Sequence, residues 1–216
     1  MKAIFPRRFL VLVLLLCGLV APSQACAAAR TDDHTILVWG DSISAGLGLD
    51  ADAGWVHLLE RRLQSQGSGY AVVNASVSGE TTAGGLSRLP AALDRFHPAI
   101  VLIELGGNDG LRGQPLDAMR TNLEKMIALC RGSKARPVLF EMRIPSNYGP
   151  AYSDRFAQVF GAVAAAQKVP LVPFFLAAIA TDRARWFQDD GIHPNAQAQP
   201  QLLDAVWPTL APLLHP

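Results

Sequence analysis

The chain has 216 residues, of which 50% are hydrophobic and 17% are charged, and it carries 19 Lys and Arg residues against 18 Asp and Glu residues. This composition excludes a disordered or collagen-like chain and favours one compact domain over two. A formal net charge of +1 provides no basic surface for nucleic acid, and 3 cysteines are too few for a disulfide framework. We therefore expect a globular protein that has no nucleic-acid partner.

Residues 1–25 have the three-part form of a secretory signal peptide. Cationic residues open the chain, an unbroken apolar run follows over 9–20, and small residues come next. A helix that crosses a bilayer needs roughly 20 apolar residues, so this run is too short for a membrane anchor. We predict cleavage after Ala25, Ala27 or Ala28, export to the periplasm or the cell exterior, and no stable membrane insertion of the mature chain.

Removal of this segment leaves Cys130 as the cysteine inside the predicted domain, because Cys26 lies at the cleavage border. Lipidation of Cys26 stays open, although the preceding Ser23-Gln24-Ala25 lacks the aliphatic residue that lipoprotein processing usually requires. Cys130 falls in a run of apolar residues at helical spacing. We therefore expect it on a buried helix face rather than as a reactive thiol.

Short apolar or β-branched runs then alternate with longer segments of helical periodicity. The predicted strands cover 35–39, 70–73, 100–105, 137–142 and 171–174, and the predicted helices cover 55–64, 82–96, 116–130, 154–167 and 196–214. This alternation is typical of parallel strands joined by crossover helices, and nearly continuous apolar strands require a sheet that is covered on both faces. The predicted fold is a three-layer α/β/α sandwich with a mostly parallel sheet of about five strands, formed by one domain over 26–216.

Three polar segments follow the first three predicted strands, at the edge where an open parallel sheet binds its ligands. Gly40-Asp41-Ser42 places a hydroxyl at the tip of the first strand, and Gly79 offers a backbone N–H after the second. After the third strand, Asn108 brings a neutral side-chain donor that suits a developing oxyanion. Each segment alone also has a structural explanation: Ser42 as a helix N-cap, and the Gly-Asn pair as a turn with positive φ.

A fourth polar segment, Asp190-Gly191-Ile192-His193-Pro194, precedes the last predicted helix. Pro194 disfavours helical backbone at His193, so the imidazole projects from an extended segment. The Asp190 carboxylate can accept the Nδ1 hydrogen bond and leave Nε2 as a base, which is the division of roles that nucleophilic serine catalysis needs. Asp189 is a rival for that role, and an Asp that only caps the helix is the structural alternative.

Together these segments supply a nucleophile, a base with an orienting carboxylate and two oxyanion donors at one sheet edge. In residues and order they resemble the four blocks of the SGNH (GDSL-type) hydrolase superfamily, over 36–200. The stretches 73–82, 104–113 and 188–195 resemble its periplasmic thioesterase I/lysophospholipase L1 group, whose members are also called arylesterases. The resemblance implies the flavodoxin-like fold of that superfamily.

The resemblance also implies a role for each site residue. Ser42 would be the nucleophile, His193 the general base and then acid, and Asp190 its orienter. The backbone N–H groups of Ser42 and Gly79 and the side chain of Asn108 would hold the oxyanion. The expected enzyme is a monomer that hydrolyses small-molecule carboxylic esters or acyl thioesters, of the acyl-CoA thioesterase, lysophospholipase or arylesterase type, through an acyl-Ser42 intermediate.

The residues argue against other kinds of site. No spacing typical of metal ligands appears, and Gly46-Leu47-Gly48 lies too far beyond the first strand for a dinucleotide site, so we expect neither a metal nor a cofactor. Two functional alternatives stay open: a carbohydrate O-acetylesterase, and a non-catalytic secreted protein that binds lipid or glycan with the same fold. Acyl preference would depend on the loops 111–115 and 145–151, and residue types do not decide whether 145–150 moves as a lid.

Overall fold

The computed structural model describes residues 34–214, so the predicted signal peptide and its cleavage border lie outside the described residues and stay a prediction. The strands are β1 (Thr35–Gly40), β2 (Ala71–Asn74), β3 (Ile100–Glu104), β4 (Arg136–Phe140) and β5 (Leu171–Val172). The helices are α1 (Ser42–Ala45), α2 (Trp55–Ser65), α3 (Thr82–Phe96), α4 (Gly107–Leu111), α5 (Leu116–Gly132), α6 (Pro150–Gln167), α7 (Arg183–Trp186) and α8 (Gln199–Leu210). Single 3-10 turns lie at Ser146–Tyr148, Ala196–Ala198 and Ala211–Leu213.

The strands form one parallel sheet in the order β2-β1-β3-β4-β5, which confirms the predicted fold. The chain moves one way from β1 to β2 and the other way from β3 to β5. Because parallel crossovers are right-handed, α2 lies on one face of the sheet and α3, α5 and α6 lie on the other. Helix α8 packs on α2, while α5 packs between α3 and α6, so helices cover both faces.

The core is built on the two central strands. All five residues of β3 are buried, as are five of the six residues of β1. On one side, the rings of Trp55, Phe140 and Phe175 form a cluster with centroid separations of 5.3 to 6.2 Å. Burying side chains of this size stabilises the fold by about 1.5 to 3 kcal/mol each. Cys130 is fully buried in the same core, as its helical spacing predicted.

Helix boundaries differ from the predictions where prolines and glycines occur. Helix α6 begins at Pro150 rather than at 154, because proline fits the first turn of a helix. The predicted helix over 196–214 is instead α8 between two 3-10 turns. The short helices α1, α4 and α7 were not predicted, because segments of 4 or 5 residues cannot display an apolar period.

The sheet order places a topological switch point between β1 and β3, where the chain leaves in opposite directions. Ligand sites of open α/β sheets lie beyond the carboxyl ends of strands at this point. Ser42 follows β1 and Asn108 follows β3, so both lie at the switch point.

Candidate active site

Ser42 is the first residue of α1, directly after the end of β1. Asp41 caps this helix, because its Oδ1 atom accepts a hydrogen bond from the Ile43 N–H at 3.0 Å. The structural alternative of Ser42 as the N-cap is therefore wrong. The Ser42 residue is buried, and its Oγ atom lies 2.8 Å from Nε2 of His193.

His193 lies in a short loop whose ends are held together. An antiparallel bridge joins Phe187 to Pro194, and the Gln188 N–H donates to the His193 carbonyl at 2.8 Å. The Gln188 side chain also donates to the Leu47 carbonyl at 2.8 Å, which ties this loop to the segment after α1. These contacts bring the imidazole to the Ser42 hydroxyl, although the two residues are 151 positions apart in the sequence.

Asp190, and not its rival Asp189, contacts the imidazole. The Asp190 Oδ2 atom lies 2.6 Å from His193 Nδ1, while its Oδ1 atom accepts the backbone N–H groups of Ile192 and His193 at 2.8 and 3.0 Å. The hydrogen bond with the imidazole, followed by these two N–H groups, lowers the pKa of Asp190 to about 2. The group is therefore an ionised acceptor at neutral pH, which favours the proton of His193 on Nδ1 and leaves Nε2 free to accept one.

Asn108 lies in α4, a short helix inside the glycine-rich segment after β3. The positive φ of 117° belongs to Gly106, which precedes the helix, so Asn108 itself is not the turn residue of the structural alternative. Its Nδ2 atom donates to Asp41 Oδ2 at 3.1 Å. An amide nitrogen has two hydrogens, so the second remains available to a ligand.

Gly79 lies in a turn after β2, closed by a hydrogen bond of 3.1 Å from the Glu80 N–H to the Val77 carbonyl. Its φ of 77° is unfavourable for a residue with a side chain, which explains the glycine. The Val77 N–H donates to the Gly40 carbonyl at 3.0 Å, so the turn is attached to the end of β1, next to Ser42.

A buried glutamate next to the Asp41-Ser42 segment was missed by the sequence analysis. Glu104, the last residue of β3, pairs in register with Gly40, and its Oε2 atom accepts the Ser44 hydroxyl at 2.6 Å and the Asp41 N–H at 3.3 Å. A side chain at Gly40 would collide with this carboxyl group. Burial raises the pKa of Glu104 well above its usual value, and burial likewise raises the pKa of Asp41 to about 6. The sequence signal for Glu104 was an ionisable residue at the end of an otherwise apolar strand.

Asp109 was also missed, although it belongs to the same glycine-rich segment as Asn108. It is buried, and its two oxygens accept the Thr82 N–H at 2.8 Å and the Thr82 hydroxyl at 2.5 Å. It therefore joins α4 to the beginning of α3 and fixes the helix on which Asn108 lies.

The two loops predicted to set the acyl preference contact each other. The Tyr148 hydroxyl donates to the Leu111 carbonyl at 2.9 Å, and a groove of about 560 Å³ is lined by residues of 113–117 and by Tyr152 and Arg155. Within 34–214, no cluster of three or more His, Cys, Asp or Glu side chains could hold a metal ion. No helix in that range is long and apolar enough to cross a membrane.

Comparison with known proteins defines the class. The family described as "GDSL-like Lipase/Acylhydrolase family" matches residues 38–199. "Esterase TesA" of Pseudomonas aeruginosa is 52% identical over 204 residues, which are 93% of this chain and 98% of that protein. "Thioesterase 1/protease 1/lysophospholipase L1" of Escherichia coli is 44% identical over 189 residues, 87% of this chain and 88% of that protein. A solved structure described as "Crystal Structure of TesA" has a TM-score of 0.81 and 54% identity, and the match covers 83% of this chain and 99% of that one.

The chain therefore belongs to the GDSL-like lipase/acylhydrolase family, and the resemblance drawn from its four polar segments is confirmed. It is a carboxylic ester hydrolase of the SGNH esterase/thioesterase kind.

Proposed function

We propose that this esterase hydrolyses carboxylic esters or acyl thioesters through an acyl-Ser42 intermediate. The observation that carries the proposal is the unbroken chain of contacts from Ser42 Oγ to His193 Nε2 at 2.8 Å and from His193 Nδ1 to Asp190 Oδ2 at 2.6 Å. A nucleophile, a base and an orienting carboxylate at hydrogen-bonding distance are the arrangement that acyl transfer to serine requires.

In the first half-reaction, Ser42 Oγ attacks the acyl carbonyl carbon while His193 Nε2 takes the hydroxyl proton. Asp190, ionised at neutral pH, stabilises the imidazolium that forms. The tetrahedral intermediate then collapses, the bond to the leaving alcohol or thiol breaks, and His193 gives its proton to that leaving group. In the second half-reaction, water attacks the acyl carbon while His193 takes its proton. The bond between the acyl carbon and Ser42 Oγ then breaks, His193 returns the proton to Ser42, and the carboxylic acid product leaves.

The oxyanion of each tetrahedral intermediate needs fixed hydrogen-bond donors. We assign these to the backbone N–H groups of Ser42 and Gly79 and to the Asn108 side chain. Asp41 accepts one hydrogen of the Asn108 amide at 3.1 Å, which sets the orientation of the amide before substrate binds. Donors that are already oriented need no reorganisation in the transition state, and this is the source of their effect on rate.

The proposal includes export. The signal-like segment 1–25 supports delivery of a domain over 26–216 to the periplasm or the cell exterior. We propose that the mature enzyme works there as a monomer on small acyl substrates, without a metal or cofactor.

A labelling experiment tests the nucleophile and the reaction class together. The mature chain is treated with a fluorophosphonate and the modified peptide is mapped, while hydrolysis of p-nitrophenyl butyrate is followed in parallel. We expect the label on Ser42, and a Ser42→Ala variant that takes no label and loses at least about 10⁴-fold in turnover.

The matched control is Ser133→Ala, an exposed serine at the end of α5. It should label and turn over like the wild type. A label on another serine, or turnover by Ser42→Ala equal to that of the wild type, would refute the assignment of the nucleophile.

A further inference from the structure

Helix α4 is tied to the Gly79 turn by a side chain that the catalytic steps do not use. Arg112 is the C-terminal cap residue of α4, and its Nη2 atom donates to the Gly79 carbonyl at 3.0 Å. The helix thus carries the Asn108 amide near its beginning and holds the other loop donor, Gly79, from its end. One short element therefore controls the spacing between two of the three assigned oxyanion donors.

The turn that carries Gly79 depends on polar contacts, since it has little apolar packing. Val77 is 44% exposed, although its side chain is large and apolar. Beyond the turn, Glu80 forms an ion pair with Arg88 at 2.6 Å, and the Arg88 guanidinium lies 4.2 Å from the centre of the Trp39 ring. That ion pair holds the side of the turn towards α3, and Arg112 holds the side towards α4.

Arg112 differs from Asp109, which also joins α4 to this region. Asp109 is buried and bonds to Thr82, so its loss would disturb the beginning of α3. Arg112 is exposed, and its hydrogen bond ends on the donor residue itself. Removal of its side chain should therefore leave the fold intact and change only the position of Gly79.

We propose that Arg112 is a positioning residue that holds the Gly79 turn against α4 and so keeps the Gly79 N–H and the Asn108 amide directed at one oxyanion. A hydrogen bond from a guanidinium to a carbonyl is charge-assisted and stronger than one between neutral groups, which suits it to restrain an exposed turn. The inference rests on the proposed acyl-transfer function, and it adds a residue to which no step of that function assigned a role.

The test compares Arg112→Ala with the wild type on p-nitrophenyl butyrate and on butylboronic acid, whose tetrahedral adduct with serine imitates the intermediate. Loss of an oxyanion donor typically lowers turnover by about 10² to 10³, so displacement of one should lower kcat by about tenfold. We expect KM to change by less than about twofold, and affinity for the boronic acid to fall by the same factor as kcat/KM. The melting temperature should not change.

Arg61→Ala is the matched control, because Arg61 is an exposed arginine of α2 for which the described residues show no hydrogen bond or ion pair. It should match the wild type in all measurements. Turnover of Arg112→Ala within twofold of the wild type, or a loss of turnover with unchanged boronic acid affinity, would overturn the inference alone. A wild-type chain without turnover would instead overturn the proposed function, and the inference with it.

Discussion

On one side of Ser42 the Asp190 carboxylate lies in an exposed loop, whereas on the other side the carboxyl groups of Asp41 and Glu104 lie in the protein interior. The Asp190 side chain is 45% exposed, while Asp41 and Glu104 are 3% and 0% exposed. The pKa of Asp190 is lowered to about 2, and those of the two buried groups are raised. The pKa of a carboxyl group is thus lowered in one part of this site and raised in another.

The difference comes from what each environment offers to a negative charge. Asp190 keeps contact with water, and its oxygens accept hydrogen bonds from two backbone N–H groups and from the imidazole. All of these contacts stabilise the ionised form. Glu104 has lost its water, and among the residues of 34–214 its Oε1 atom has no hydrogen-bond partner at all. Burial therefore favours its protonated form. The exposed carboxylate contacts the imidazole, whereas the two buried carboxyl groups hold the backbone next to Ser42.

The largest expected effect concerns the exposed carboxylate. In Asp190→Asn, the amide oxygen should take the two backbone N–H groups, because only an acceptor can satisfy them. The NH₂ group would then donate to His193 Nδ1 and favour the tautomer with its hydrogen on Nε2, facing Ser42. We expect turnover to fall by about 10⁴-fold, measured as kcat on p-nitrophenyl butyrate.

Asp189→Asn tests whether the loss of turnover requires removal of the Asp190 carboxylate or follows removal of any negative charge from this loop. Asp189 is exposed and, within the described part of the chain, makes no hydrogen bond. Its variant should keep turnover within about twofold of the wild type. An equal loss of turnover in Asp189→Asn and Asp190→Asn would show that the effect does not depend on the contact between Asp190 and His193.

The next effect concerns the Asn108 amide, which donates to the buried carboxyl of Asp41 and which we assign to the oxyanion. Asn108→Ala removes one oxyanion donor and should lower turnover by about 10² to 10³, or about 2.7 to 4 kcal/mol, without unfolding the protein. Asn108→Asp keeps the shape of the side chain, but an ionised carboxylate only accepts hydrogen bonds, so this variant should lose at least as much turnover. Near wild-type kcat in either variant would remove Asn108 from the site.

The smallest expected effect is on stability, at the buried carboxyl of Glu104. Its pKa rises from an ordinary 4.5 in the unfolded chain to a higher value in the folded one. As pH rises above about 4.5, the unfolded chain releases this proton while the folded chain retains it, so the free energy of unfolding falls by about 1.4 kcal/mol per pH unit in that window. Glu104→Gln has no proton to lose, so it should gain stability relative to the wild type as pH rises.

Urea unfolding at pH 4.5 and pH 7.5 measures this gain, and we expect the stability of Glu104→Gln relative to the wild type to be higher at pH 7.5 than at pH 4.5. Glu124→Gln in α5, a partly exposed position, serves as the control and should follow the wild type at both pH values. If the free energy of unfolding of Glu104→Gln differs from that of the wild type by the same amount at both pH values, burial does not raise the pKa of Glu104.

Much of the fold could be predicted from sequence because the strands are short apolar runs with clear ends. The rule that ligands bind beyond the carboxyl ends of parallel strands, together with the family resemblance, then indicated Ser42, Gly79 and Asn108. The segment before Pro194 indicated His193 with either Asp189 or Asp190, and only the family resemblance selected Asp190. The structure brings the serine, the histidine and the aspartate into contact, and their catalytic roles are the part left to the experiments above.

The rest depended on strand register, which no sequence pattern contains. Glu104 lies beneath Asp41 only because β1 and β3 pair with Gly40 opposite Glu104. Asp109 and Arg112 likewise contact Thr82 and Gly79 across a crossover connection. The helix α4 that presents them begins in glycines, which have poor helix propensity, so local preferences predicted a turn there.

The separation of 151 residues between Ser42 and His193 has a consequence for how activity arises during biosynthesis. Any fragment that ends before residue 193 lacks the imidazole. Contacts between distant parts of a chain carry a loop-closure cost that slows folding. If Ser42 and His193 act together as proposed, activity requires both ends of the domain to have come together, and hydrolysis of an ester reports that they have done so.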